Sequence, residues 1–207
     1  CKTLEQIIIP TSVNSIGKGV FHKCSSIKQI IIPPSVKIIN EYTFCECKSL
    51  MKITIPSSVT SIGESAFDEC FSLENVIIPP SVTSINNYAF RECKSLVKIT
   101  IPSSVTNIGK QAFNNCSKLN DISFVNPSSL TSIGEETFSC CSSLTKISIP
   151  SSVKQIGKDV FKRCNSLNEL EIPSVIYKFL NLSPSFVKNF FVAKYLGVDL
   201  KTKLIIT

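Results

Sequence analysis

Hydrophobic and polar residues along this chain follow a unit that returns again and again. In Cys47 to Glu69 (CKSLMKITIPSSVTSIGESAFDE) apolar residues stand at Leu50, Ile53 and Ile55, then at Val59 and Ile62, then at Ala66 and Phe67. The same order begins at Cys1, Cys24, Cys47, Cys70, Cys93, Cys116, Cys141 and Cys164, a spacing of 23 residues broken once by a spacing of 25. The longer unit carries an insertion near Val125 and Asn126. A fixed period of this length is the mark of a solenoid, in which each unit buries its apolar face only against its neighbours. The stretch from Ile30 also resembles the stretch 46 residues later, as if a two-repeat unit had been duplicated.

Within a unit, the run Leu50, Ile53, Ile55 sends Ile53 and Ile55 to one face and leaves Lys52 and Thr54 on the other, which predicts a short strand. A proline follows at Pro10, Pro33, Pro56, Pro79, Pro102, Pro127, Pro150 and Pro173. It has no N–H to continue a ladder, so the strand should end there and the chain should turn. Val59 and Ile62 form a second short apolar pair leading to Gly63. A bend with positive φ is expected at that position, with Asn40 and Asn86 as its tolerant substitutes. Ala66 and Phe67 should then point inward from a helical turn or an irregular stretch. Stacking the units aligns Phe21, Phe44, Phe67, Phe90, Phe113, Phe138 and Phe161 in one column.

The motif L-x-x-I-x-I-P-x-S-V-x-x-I-G-x-x-A-F-x-x-C resembles the BspA-like class of leucine-rich repeats over residues 1 to about 173. The resemblance implies a leucine-rich-repeat solenoid of α/β type, shaped as a horseshoe or arc. It would have one parallel β-sheet of about eight short strands, with short second strands and helical turns on the convex side. It also implies a surface antigen that adheres to host cells or matrix proteins, and it brings no catalytic motif with it.

After Pro173 the pattern decays, and the chain reads as a solenoid over 1–173 followed by a tail over 174–207. Ser183 and Pro184 read as N-cap and first helical residue, and Phe186, Val187, Phe190 and Phe191 as an apolar face; Gly197 reads as a stop. An amphipathic helix over about 184–196 is therefore expected to cap the last coil. Membrane-surface contact or partner docking is the other reading of that helix. Leu200 to Thr207 look like a short strand.

The ten cysteines do not read as a disulfide framework, because eight of them share one repeat position. There they should form a ladder of buried free thiols. Cys45 and Cys140 fall outside the ladder and read as incidental exposed thiols, with a reactive or bridging role as the alternative. The single histidine, His22, reads as a solvated surface residue, and Asp68 with Glu69 as a solvated carboxylate pair. Without clustered Cys-x-x-Cys pairs or further histidines, neither a metal site nor a cofactor is expected. A lone histidine on a regular coil also gives nucleophilic catalysis little scope, so no enzyme is expected.

The net charge of +7 is moderate. Its distribution matters more, because Lys52, Lys98 and Lys146 share position six of their repeats with Gln6, Gln29 and Asn75, while Asp121 and Glu169 interrupt the column. Position eight holds Ile8, Ile31, Thr54, Ile77, Thr100, Ser123, Ser148 and Glu171, so the early half of that column is apolar. Contiguous exposed apolar surface marks interaction sites. The candidate binding residues are thus Ile8, Ile31, Lys52, Thr54, Ile77, Lys98, Thr100 and Lys146, on the concave sheet.

A protein partner is expected, of host or matrix origin, with an acidic glycan as the second class the lysines would suit. Nucleic acid is not expected, since no dense basic patch carries stacking aromatics. The location implied by the resemblance is the cell surface or secretion. The rival reading is a cytoplasmic scaffold for a partner in the same cell, which free thiols would favour.

Overall fold

Residues 3–176, 187–199 and 201–207 are described by the computed structural model, with the main chain only for 187–191. Each unit makes one coil of a parallel β-solenoid. Its first strand has the expected alternation, as in Lys52–Thr54, where Lys52 and Thr54 are exposed and Ile53 is buried. The proline that follows closes a tight turn in which its carbonyl accepts the N–H of the valine three residues on, at 3.0 Å for Pro56 and Val59. The second strand is only two residues long, as at Ser61–Ile62.

The second strands form one uninterrupted parallel sheet of six, from Ile38–Ile39 to Gln155–Ile156, each isoleucine in register with the next. First-strand pairing runs Gln6, Gln29, Lys52, Asn75, Lys98, Asp121 and then starts afresh as Lys146, Glu169, Lys203. Between Asp121–Phe124 and Lys146–Ser148 no backbone pairing forms among the described residues. The single first-strand sheet expected is therefore two ladders. The cause lies in the longer repeat, whose two extra residues fall just after Phe124, where Val125 N–H still donates to Ile101 O at 2.9 Å. Asn126 then sits at the lip of the gap.

The stretch after the glycine is not helical. It is a run of three-residue turns, Ala66 N–H to Gly63 O, Asp68 N–H to Ser65 O and Cys70 N–H to Phe67 O, at 3.2–3.3 Å. Two residues per coil take left-handed backbone. They are position nineteen (Gly19, Tyr42, Ser65, Tyr88, Gln111, Glu136, Asp159) and position twenty-three (Lys23, Glu46, Glu69, Glu92, Asn115, Cys140, Arg163).

The bend with positive φ expected at Gly63 is thus displaced. Glycine is required there for closeness instead: a Cβ on Gly63 would sit 2.7 Å from the carbonyl carbon of Asn40 in the coil before, and one on Gly109 would sit 2.5 Å from Asn87 N. At this position the glycine N–H donates to the isoleucine carbonyl of the previous coil at 2.8 Å for Gly63 and Gly109. Asn86 does so at 3.1 Å, and Asn40 reaches the Ile16 carbonyl with its side-chain amide at 2.7 Å.

Inside the coil the phenylalanine rings stack from Phe21 to Phe161, with centroids 5.1–5.9 Å apart and planes within 13° of parallel. Beside them runs the thiol ladder. Each Sγ–H donates to the phenylalanine carbonyl of the coil before, from Cys47 to Phe21 O at 3.1 Å through to Cys164 to Phe138 O at 3.1 Å. All nine described cysteines are free. Burial pushes the thiols up, Cys47 and Cys164 to about 12, and Cys70, Cys93 and Cys141 well above their ordinary value.

The last coil is covered by the tail. The described helix, Val187–Leu196, ends with Tyr195 O and Leu196 O accepting the N–H groups of Asp159 and Phe161 at 2.7 and 2.8 Å. These N–H groups would otherwise need a further coil. Val192 and Leu196 are fully buried, and Gly197 turns the chain with φ +74. Lys203–Ile206 then adds a parallel strand beside Glu169–Ile172. Over the side chains described, Val192, Ala193 and Leu196 are buried and Lys194 is exposed, so the helix turns an apolar side to the last coil. Ser183, Pro184, Phe186 and the side chains of Val187, Phe190 and Phe191 lie outside the described residues, as does Cys1. No described helix is long and apolar enough to cross a membrane.

Candidate binding face and polar edge

All eight candidate residues are exposed on the face formed by the first strands. Ile8 and Ile77 are 92% and 83% accessible and Ile31 59%, an extent ordinarily reserved for polar groups. Ile31 is in register with Thr54, one strand spacing away, roughly 4.8 Å. The isoleucines therefore form a broken ridge rather than scattered points. A groove of about 480 Å³ runs beside Ile8 and Ile31 as far as Pro33 and Pro34. A second, of about 440 Å³, lies between Ile77, Pro80, Thr100 and Val125. Met51 and Val97, both partly accessible, extend the apolar surface along position five.

The lysine column is less basic than its sequence suggests. Lys98 is bound to Asp121 at 2.9 Å, and Lys146 lines a cleft together with Glu169 and Glu171. Among the described residues Lys52 makes no ion pair. The cleft, about 710 Å³, opens where first-strand pairing is lost and is lined by Asp121, Ser123, Asn126, Thr145, Lys146 and Ser148 among others. The face thus divides into an apolar amino-terminal half and a polar, largely acidic carboxy-terminal half.

The turns on the other edge of the coil carry a second cluster. Position twenty-two stacks His22, Cys45, Asp68 and Arg91 in successive coils. Cys45 is buried, not exposed as expected, and burial first, then the nearby carboxylates of Asp68, Glu46 and Glu69, push its thiol up to about 12. Asp68 is also buried. Arg91 grips it with Nε to Oδ1 at 2.9 Å and Nη2 to Oδ2 at 2.7 Å, yet burial still holds its carboxyl above the ordinary value. One ring nitrogen of His22, Cys45 Sγ and one oxygen of Glu46 lie within 4.8 Å of one another. Reading residues singly hid this cluster; His22 and Cys45 are 23 apart, one period, and so must be stacked. Farther along, the Asn115 side-chain amide donates to Glu92 at 2.7 Å.

The sequence pattern of the BspA-type leucine-rich repeat region matches in six copies, over residues 1–120 and 60–185. The chain belongs to this family. Its fold is similar to that of a leucine-rich repeat protein from Bacteroides ovatus (25% identity, TM-score 0.64), over 100% of this chain and 61% of that one. A leucine-rich repeat protein of T. pallidum is similar over 84% of this chain and 80% of its own (26%, TM-score 0.69). A leucine-rich cell surface protein from Faecalibacterium prausnitzii is similar over 91% of this chain and 62% of its own (25%, TM-score 0.51). The chain thus spans less than two thirds of the Bacteroides and Faecalibacterium proteins. No curated protein matches it. A BspA-type leucine-rich repeat chain is consistent with a protein-binding repeat domain.

Proposed function

We propose that this chain is a non-enzymatic adhesion module, at the cell surface or secreted, that binds a host or matrix protein through the first-strand face of its amino-terminal half. The observation that carries this reading is the exposure of Ile8, Ile31 and Ile77 in one column, bordered by two grooves. A partner with an apolar ridge and an acidic flank would meet the isoleucines and Lys52. Thr54, Thr100, Lys98 and Lys146 extend the face toward its polar end. An acidic glycan is less well served, since carboxylates stand beside two of the three lysines. Cys45 and His22, which approach each other, do not favour catalysis, because a nucleophilic thiol needs a lowered pKa and burial raises that of Cys45.

The cell surface location rests on the family and on the F. prausnitzii relative described as a cell surface protein. The free thiol ladder favours the rival reading, a cytoplasmic scaffold. Staining of intact cells with an antibody to this region separates the two, since only a surface protein stains before permeabilisation. The face itself is tested by I31K/I77K against a panel of purified matrix proteins. Binding should be lost with an unchanged circular-dichroism spectrum, and unchanged affinity would sink the reading.

A further inference from the structure

We propose that His22, Cys45 and Glu46 form a binding site for Zn2+ between the first and second coils. The site lies on the turn edge, away from the apolar face, and does not depend on the adhesion reading.

The three donors are an imidazole nitrogen, a thiol sulfur and a carboxylate oxygen, each a donor type that zinc takes, and three protein ligands leave a fourth position open. Their mutual distances, within 4.8 Å, need little closing to reach bonds of about 2.0–2.3 Å from one central ion. The His22 Nε2 to Glu46 Oε1 distance is already 4.0 Å. The backbone fixes two of the ligands. Glu46 takes left-handed backbone directly after Cys45, and Lys23 N–H donates to Cys45 O at 2.8 Å, so the turn that carries His22 is tied to the turn that carries the other two.

Carboxylates and cations both surround the site. Cys45 lies among Glu46, Asp68 and Glu69, and these carboxylates resist a thiolate there but attract a positive ion. A bound metal reverses the balance: its charge stabilises the thiolate, and binding releases the thiol proton to solvent. Three cations compete. Arg91 is spent on Asp68, while Lys23 and Lys48 reach Glu46 at 3.4 and 3.9 Å with side chains 59% and 44% accessible. Such exposed pairs are weak and yield readily to a divalent ion. The alternative use of the cluster, a Cys-His nucleophile, would need a thiolate without a metal, which the same carboxylates oppose.

The test is Zn2+ titration of the whole chain by calorimetry, with Co2+ as an absorbing substitute that reports thiolate ligation. One ion per chain and a thiolate-to-cobalt absorption band are expected. C45S should abolish the band, and H22Q, at a partly exposed side chain that should not disturb folding, should weaken binding by about 100-fold, at or beyond the 10–100-fold typical of losing an outer-shell partner. C140S and C1S should leave the band unchanged. The proposal is overturned if wild type gives no band, if the band survives C45S, or if H22Q binds Zn2+ as well as wild type.

Discussion

Two stretches of the solenoid, the coils from Cys24 to Cys116 and the junction between the sixth and seventh coils, are built from the same motif and differ in what two extra residues do to it. In the regular stretch the phenylalanine rings are 5.1–5.4 Å apart; the pair that spans the insertion, Phe113 and Phe138, is 5.7 Å apart, and the next pair, Phe138 and Phe161, is 5.9 Å apart. The serine before the valine that recurs in each unit donates to a valine carbonyl of the preceding coil in the regular stretch, at 2.6 Å for Ser58, Ser81 and Ser104. Past the junction, Ser152 Oγ is buried and has no hydrogen-bond partner among the described residues. First-strand pairing is lost at the same place, while the second-strand sheet and the thiol ladder continue through it. An insertion between the strands therefore disturbs one side of the coil and leaves the other in register.

The largest expected effect tests what both stretches share. The six ladder thiols from Cys47 to Cys164 have folded pKa values raised by burial, so the folded chain holds protons that the unfolded chain gives up. The stabilising contribution is complete below the unfolded value near 9 and is lost as pH rises toward the folded value, about 12 for Cys47 and Cys164. Each ladder thiol therefore withdraws part of its contribution as pH rises past 9, and six act in the same direction. Chemical denaturation from pH 7 to 10.5 should show stability falling steeply above pH 9. C93A should make the slope shallower; a stability flat to pH 10.5 would contradict the buried ladder.

The next effect separates the two stretches. Phe67 is fully buried between rings at 5.3 and 5.1 Å, and F67A should cost about 3–5 kcal/mol. F138A sits between the wider spacings of 5.7 and 5.9 Å and should fall at or below the low end of that range, because its surroundings already make looser contact. Equal losses in urea denaturation would show that the junction is packed as tightly as the rest.

The sequence carried the period, the strand faces, the phenylalanine column and the thiol ladder, because each follows from one short motif repeated in register. It misplaced the left-handed backbone at Gly63. Glycine serves either a positive φ or a close approach, and only the distance to Asn40 decides which. The exposed isoleucines could be read from strand alternation alone, whereas their grooves depend on the prolines of adjacent coils. The proximity of His22 to Cys45 and Glu46 required reading down a column instead of along the chain. Loss of pairing after Phe124 was not legible, since an insertion in a turn can be absorbed as a bulge or passed on to the next strand.

The smallest expected effect isolates the junction by a single hydroxyl. In the regular stretch Ser81 Oγ donates to Val59 O at 2.6 Å, and S81A leaves that carbonyl without this donor, so it should cost about 1 kcal/mol, the usual net worth of an intramolecular hydrogen bond. The same change past the junction removes a hydroxyl that is buried without a partner. Its desolvation is then a cost already present in the folded state, and S152A should be neutral or stabilising by up to about 1 kcal/mol. Thermal melts of the two variants should therefore move in opposite directions, or one should not move at all. A loss for S152A equal to that for S81A would mean that the serine ladder crosses the insertion intact and that the disturbance is confined to the first strands.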